Sequence, residues 1–145
     1  MEIQRGIIDI GVVINPAEVP DLVIQKLAED MVYVWSSSKK NKAAVDTIIC
    51  DQNLFQTQYI LRKWKNKPKK VLHTDSLDLI VRLVQEGLGL GIIPERATQI
   101  HKANLTKCED LPCYKDKICL VYRPEFGKVP PERLTLEALK AGFEL

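Results

Sequence analysis

Val71-Leu-His-Thr-Asp-Ser-Leu-Asp-Leu-Ile-Val-Arg-Leu-Val-Gln-Glu-Gly-Leu-Gly-Leu-Gly-Ile-Ile-Pro-Glu-Arg-Ala97 is the stretch that decides the fold. It reads as strand, capped helix, glycine stop, strand and the start of another helix. Val71 and Leu72 are short and apolar. Thr74, Asp75 and Ser76 are N-cap types, whose side-chain oxygens satisfy the first free N–H groups of a helix. Leu77, Ile80, Val81, Val84 and Leu88 then recur at helical spacing and form one buried stripe. Leu79 and Leu83 widen that stripe, so the helix is expected to be covered on more than one side. Gly87 falls where a left-handed C-cap is needed. Leu88 to Ile93 is too short and too apolar for a surface helix and reads as a buried strand. Pro94 can open the next helix at its first position, with Glu95 favourable near the N-terminus.

A strand–helix–strand unit this compact implies a parallel pair, 71–72 beside 90–93, with a right-handed crossover. Ligands of open α/β sheets bind beyond the carboxyl ends of the strands. Here that edge holds His73, Thr74, Asp75 and Ser76. Capping and ligand binding use the same atoms, so both readings stand at this point.

Working outward, Ile7 to Ile14 is apolar on both faces, as a central parallel strand would be. Asn15-Pro16 ends it, and Gly11 within it implies a close neighbour. Leu22 to Lys26 is extended or irregular, and Met31 to Trp35 is a strand by β-propensity. Ser36 to Lys42 is linker-like and marks a lobe boundary. Thr47 to Cys50 reads as a short buried strand, followed by a turn at Asp51-Gln52-Asn53 and a helix from about Gln56 to Lys65. Leu105 to Leu111 and Lys117 to Tyr122 are further strands. Pro130-Pro131 leads into a terminal helix, Glu132 to Phe143.

The totals narrow the function classes. The chain has 145 residues, 46% of them hydrophobic, enough for one domain or two small lobes. No apolar run approaches the roughly 20 residues of a membrane span, and Met1 to Gly6 lacks the apolar core of a secretory signal. A cytoplasmic protein with thiols rather than disulfides is expected. Net charge is +2. Lys39 to Lys70 nevertheless holds nine basic residues against Asp46 and Asp51. This is read as a solvated lobe face, with an anionic partner as the sharper alternative.

Enzyme signals are weak. His73 and His101 are the only histidines, and neither has the spacing of a metal pair or a nucleophile–base pair. His101, Cys108, Cys113 and Cys119 are four conceivable zinc ligands, but no Cys-x2-Cys knuckle is present, so no metal and no cofactor are expected. Gly87-x-Gly89-x-Gly91 follows a helix and opens a strand, the reverse of a dinucleotide fingerprint.

Three segments carry a family resemblance. Asp75 to Glu95 closely resembles the signature of the effector-binding domain of LysR-type transcriptional regulators. Gly6-Ile7-Ile8-Asp9-Ile10-Gly11-Val12-Val13 looks like an early strand of that domain, and Ile118-Cys119-Leu120-Val121-Tyr122-Arg123 like its late strand. They occur in the family's order and span nearly the whole chain.

The resemblance implies an α/β, two-lobed, periplasmic-binding-protein-like (type 2) fold. The first βαβ of lobe one and the DNA-binding domain would be missing, as in an N-terminally truncated member. Residues 1–35 plus 118–145 would be the remnant of lobe one, and 36–117 lobe two. The implied function is non-enzymatic: an effector-sensing regulatory domain that binds a small anionic metabolite between lobes and does not itself bind DNA. DNA contact would come only through a missing N-terminal helix-turn-helix. Effector-binding positions carried over are Ile14, Asn15, Gln52, Gln56, Thr57, Thr74, Asp75 and Ser76. Effector binding by this chain is expected to be weak or absent, because the missing elements supply much of the cleft. Uncovered apolar faces imply a homo-oligomer. A solute-binding receptor of a transport system is the alternative. An enzyme using His73, Asp75 and a cysteine is the remote one.

Overall fold

The computed structural model describes residues 1–39 and 46–143. Along the chain lie β1 (Ile10–Ile14), β2 (Val23–Ser37), β3 (Thr47–Cys50), α1 (Phe55–Lys63), β4 (Lys70–His73), α2 (Leu77–Gln85), β5 (Leu90–Pro94), α3 (Glu95–Ile100), β6 (Leu105–Lys107), β7 (Tyr114–Tyr122) and α4 (Pro130–Ala141). Two compact units emerge: Asp30–Lys115, and Met1–Glu29 with Asp116–Leu145. None of the described helices is long and apolar enough to cross a membrane.

In the Asp30–Lys115 unit the strand order is β2-β5-β3-β4, with β6 paired to β2. β3 is parallel to both β4 and β5, and β2 is antiparallel to β5 and β6. The expected direct pairing of 71–72 with 90–93 is therefore corrected. The two strands run the same way, but β3 lies between them. Burial explains the order. Ile48, Ile49 and Cys50 of β3 are fully buried, so β3 must have neighbours on both sides. All four residues of β4 are exposed, which suits an edge.

Period-two alternation divides this core between the two faces of the sheet. Val32, Val34, Ile48, Cys50, Leu90 and Ile92 pack with Ile60 and Trp64 of the α1 region. Trp35, Ile49 and Ile93 pack with Ile80, Val81 and Val84 of α2 and Ala97 of α3. Each fully buried aliphatic chain contributes about 1.5–3 kcal/mol of transfer free energy. Trp35 adds a buried hydrogen bond, donating from Nε1 to the Ile93 carbonyl at 2.9 Å.

α2 begins and ends as its residues require. Ser76 Oγ accepts from the Leu79 N–H at 3.3 Å. Gly87 takes φ +79°. Gly87 N donates to Val84 O at 2.9 Å and Leu88 N to Leu83 O at 3.1 Å, a Schellman stop. Only Ile80, Val81 and Val84 of this helix are buried. Leu77, Leu79 and Leu88 are exposed, so the wide stripe is covered on one side alone among the described residues. Pro94 is the N-cap of α3 rather than its first helical residue. Its ψ of 138° is still that of the strand it closes.

Other boundaries move as well. β2 is one strand of 15 residues, joining the two segments read separately. The expected linker begins with Ser36 and Ser37, which are buried and finish β2; Ser37 Oγ donates to Gln85 O at 3.0 Å. Residues 40–42 of that linker lie outside the described residues.

In the other unit the order is β1-β7-β2. β1 is antiparallel to β7, from Ile10↔Tyr122 to Ile14↔Ile118. The central parallel strand expected over Ile7 to Ile14 is thus a shorter, antiparallel strand with one neighbour among the described residues. Ile7, Ile8, Val12 and Ile14 are exposed. An apolar run alone cannot distinguish a covered strand from one whose cover lies elsewhere. The close neighbour of Gly11 is Ile3, whose Cδ1 would stand 3.0 Å from an added Cβ. Ile3, Leu22, Cys119 and Val121 form the small core. Arg123 ties the N-terminal turn to β7: Nη1 donates to Ile3 O at 2.7 Å and Ile8 O at 3.1 Å, and Nη2 to Asp9 Oδ1 at 3.1 Å.

Asp30 Oδ1 accepts from the Arg96 N–H at 3.2 Å. Burial outweighs that bond and the Arg96 charge, and raises the carboxyl above its ordinary value. A carboxyl raised in the folded state binds its proton more tightly there. Its contribution is then fully present in acid and is lost as pH rises through the folded value. Asp30→Asn, which keeps an acceptor for Arg96, should gain less than about 1 kcal/mol at pH 7. That gain should vanish below about pH 4, as read from denaturant midpoints at the two pH values.

Candidate functional site

The parallel pairing of β3 and β4 places Cys50 opposite His73, so both strands deliver their carboxyl ends to one place. The turns that follow lead directly into α1 and α2. Thr74 N donates to Cys50 O at 3.1 Å, and Gln52 N donates to His73 Nδ1 at 3.0 Å. Asp51 Oδ1 accepts from Asn53 N at 3.0 Å, and Gln58 Nε2 donates to Gln52 O at 3.0 Å. Thr74 Oγ1 accepts from Ser76 N at 3.2 Å.

These bonds decide what the tip can offer a ligand. A hydroxyl oxygen that accepts a backbone N–H still has its own hydrogen to donate. Thr74 and Ser76 therefore remain donors after capping. His73 accepts through Nδ1, so its neutral ring carries hydrogen on Nε2 and is a third donor. No side chain caps α1 at Leu54. The positive ends of two helices add to the field. Asp51 and Asp75 are the opposing charges.

Of the positions carried over from the resemblance, Gln52, Gln56, Thr57, Thr74, Asp75 and Ser76 lie in these two turns and the helix starts after them. Thr57, in the first turn of α1, is buried. Ile14 and Asn15 belong to the other unit. Asn15 has φ +51° and its amide is engaged there. Nδ2 donates to Asp116 Oδ1 at 2.7 Å, while Oδ1 accepts from Lys117 N at 2.8 Å. Its visible role is to lock the end of β1 onto β7. His73 and Asp51 were not among the effector positions read from the sequence. Only the β3–β4 register brings them together.

Nucleophilic chemistry has little to work with. Cys50 is buried, and burial first, then the Asp51 charge, pushes its thiol up to about 11, so it stays protonated at neutral pH. His101 Nε2 is paired with Asp78 Oδ1 at 2.8 Å. Cys119 lies in the other unit from Cys108 and Cys113. Among the described residues no three His, Cys, Asp or Glu side chains converge. Gly89 and Gly91 serve close packing. An added Cβ would meet Thr47 O at 2.6 Å and Val84 Cγ2 at 2.4 Å, respectively.

Ser76→Ala should remove the α2 cap and cost about 1 kcal/mol, measured by urea denaturation. Ser76→Asp, an equally good cap, should restore most of it while adding a charge hostile to an anion.

A family model described as LysR substrate binding domain matches residues 1–144. No curated protein sequence matches the chain. The fold recurs in the reduced OxyR regulatory domain from Pseudomonas aeruginosa, at 16% identity and TM-score 0.68, covering 98% of this chain and 75% of that one. A mutant OxyR2 regulatory domain from Vibrio vulnificus is 18% identical with TM-score 0.65, covering 98% and 74%. The bromide-bound regulatory domain of HypT from Salmonella typhimurium is 13% identical with TM-score 0.73, covering 97% and 76%. The chain thus shares the periplasmic-binding-protein-like α/β fold of these domains.

Proposed function

The chain belongs to the LysR substrate-binding domain family, and we propose that it senses a small anionic metabolite on behalf of a transcription regulator. The observation that carries this is the donor set at the carboxyl ends of β3 and β4. Thr74 and Ser76 keep free hydroxyl hydrogens because backbone N–H groups occupy their oxygens. Gln52, Gln56 and Asp75 frame the same tip, and Thr57, buried in the first turn of α1, would have to be uncovered to take part. We read the role of this set as binding rather than turnover. We assign sequence recognition of DNA to a separate domain of such a regulator.

Binding would act by shifting the population of conformations, and hence of oligomer geometries. A second copy of the chain is the partner we propose for the exposed apolar side of α2 and β4, where Val71, Leu72, Leu77 and Leu79 are uncovered. Among the described residues β4 is also a sheet edge, to which a second chain can add a strand. Light scattering should give a mass above that of one chain.

Calorimetric titration with a panel of small carboxylates and amino acids tests the sensor. Weak binding, with Kd around 1 mM, is expected for at least one anion, and Thr74→Val should weaken it about tenfold. Sub-micromolar binding would overturn the expectation of a weak site. Binding indifferent to both Thr74→Val and Ser76→Ala would remove the site from this tip.

A further inference from the structure

The Gln52 amide bonds to a ring nitrogen rather than to a carbonyl, and that choice has a consequence. An accepting Nδ1 carries no hydrogen, whereas an imidazolium carries one on each nitrogen and accepts nothing. We propose that proton uptake by His73 releases the Asp51–Asn53 turn, so that the β3–β4 tip is a proton-responsive element.

The surroundings give the released state somewhere to go. Asp51 Oδ1 lies 3.9 Å from His73 Nδ1 and already accepts from Asn53 N. The new Nδ1–H has this carboxylate as its acceptor, in competition with the Asn53 amide. Protonation thus removes the bond that holds Gln52 and strains the one that holds Asn53. Gln52 O also anchors Gln58 Nε2 on α1, so the start of that helix feels the change.

The other charges near the tip do not duplicate His73. The Cys50 thiol stays neutral. The first turn of α1 has no acidic residue. Asp78 of α2 is held by His101 at 2.8 Å. Lys70, at the opposite end of β4, is paired with Asp46 at 3.1 Å. Asp75 is exposed on the loop after β4.

That the released turn alters effector affinity rests on the function proposed above; the release itself does not, and the test reads the protein without effector. The 15N-labelled chain is titrated by NMR between pH 8 and 5. At pH 8 the His73 ring should be the Nε2–H tautomer. On acidification the Gln52 and Asn53 amide signals should move with the midpoint of the His73 ring. Exchange of the Gln52 amide, corrected for its intrinsic pH dependence, should accelerate about tenfold. His73→Asn places an amide oxygen near Nδ1 and cannot titrate, so both amides should become insensitive to pH. His101→Asn should leave the response intact. An Nδ1–H tautomer at pH 8, a Gln52 amide that ignores the His73 midpoint, or a response that survives His73→Asn would each overturn the proposal.

Discussion

Valine at position 91 is expected to destabilise the chain by about 3 kcal/mol, the upper part of the usual range for overpacking. An added Cβ at Gly91 would lie 2.4 Å from Val84 Cγ2 and 3.1 Å from Ile93 Cδ1. The backbone cannot retreat, because β5 is pinned between β3 and β2, with Gly91 opposite Ile49 on one side and Trp35 on the other. Val84 is buried in α2 and, being β-branched, has little rotamer freedom with which to give way. Gly91→Ala should therefore cost clearly more than a surface change. Combined with Val84→Ala, it should be more stable than the sum of the singles by at least about 1 kcal/mol. Gly89→Ala makes the contrast. Its Cβ would meet the backbone oxygen of Thr47 at 2.6 Å, and no trimming of a side chain should rescue it. Guanidinium midpoints on the four single variants and the double decide the matter. An additive Gly91→Ala/Val84→Ala pair would show that the helix and strand are not in the contact described.

Alanine at position 64 is the second large effect, expected at about 3–5 kcal/mol. Trp64 is only 5% exposed and packs with Val32, Val34, Ile48, Ile60 and Ile92. Its backbone N–H, which alanine keeps, donates to Ile60 O at 3.0 Å and closes α1, so the expected loss is that of the buried ring. The cavity would open at the junction of helix and sheet. The neighbouring Arg62, Lys63 and Lys65 are exposed, and Arg62→Ala or Lys65→Ala should stay within about 0.5 kcal/mol. A basic stretch interrupted by tryptophan is here a solvated turn with a buried anchor. A loss below about 1 kcal/mol for Trp64→Ala would contradict that anchoring role.

The local grammar of the chain was legible without coordinates. Ser76 could cap and does, Gly87 could stop a helix in left-handed geometry and does, and of the expected 3.6-residue stripe Ile80, Val81 and Val84 are buried while Leu77 and Leu88 are exposed. Each of these depends on atoms within a few residues of one another. The site was legible in part for the same reason, since Thr74, Asp75 and Ser76 announce a helix start wherever the helix lies. His73 was named at that edge, but its bond to Gln52 crosses 21 residues of sequence and has no local signal. Asn15 shows the converse: its type and position suit a ligand contact, and its amide is taken by Asp116 and Lys117.

Strand order is where local reading stops. β4 and β5 are sequential and parallel, yet β3 separates them, because three fully buried residues gain more from a place inside the sheet than four exposed ones do. β1 is as apolar as a central strand and has one neighbour among the described residues. From its residues alone the chain determines most of the segments that become strands and helices, the cap and stop of α2, and the family to which the pattern belongs. The tertiary structure decides which strands touch, which apolar faces are covered, and which polar side chains remain available. Those outcomes follow from burial summed over partners far apart in sequence, and no short window contains that sum.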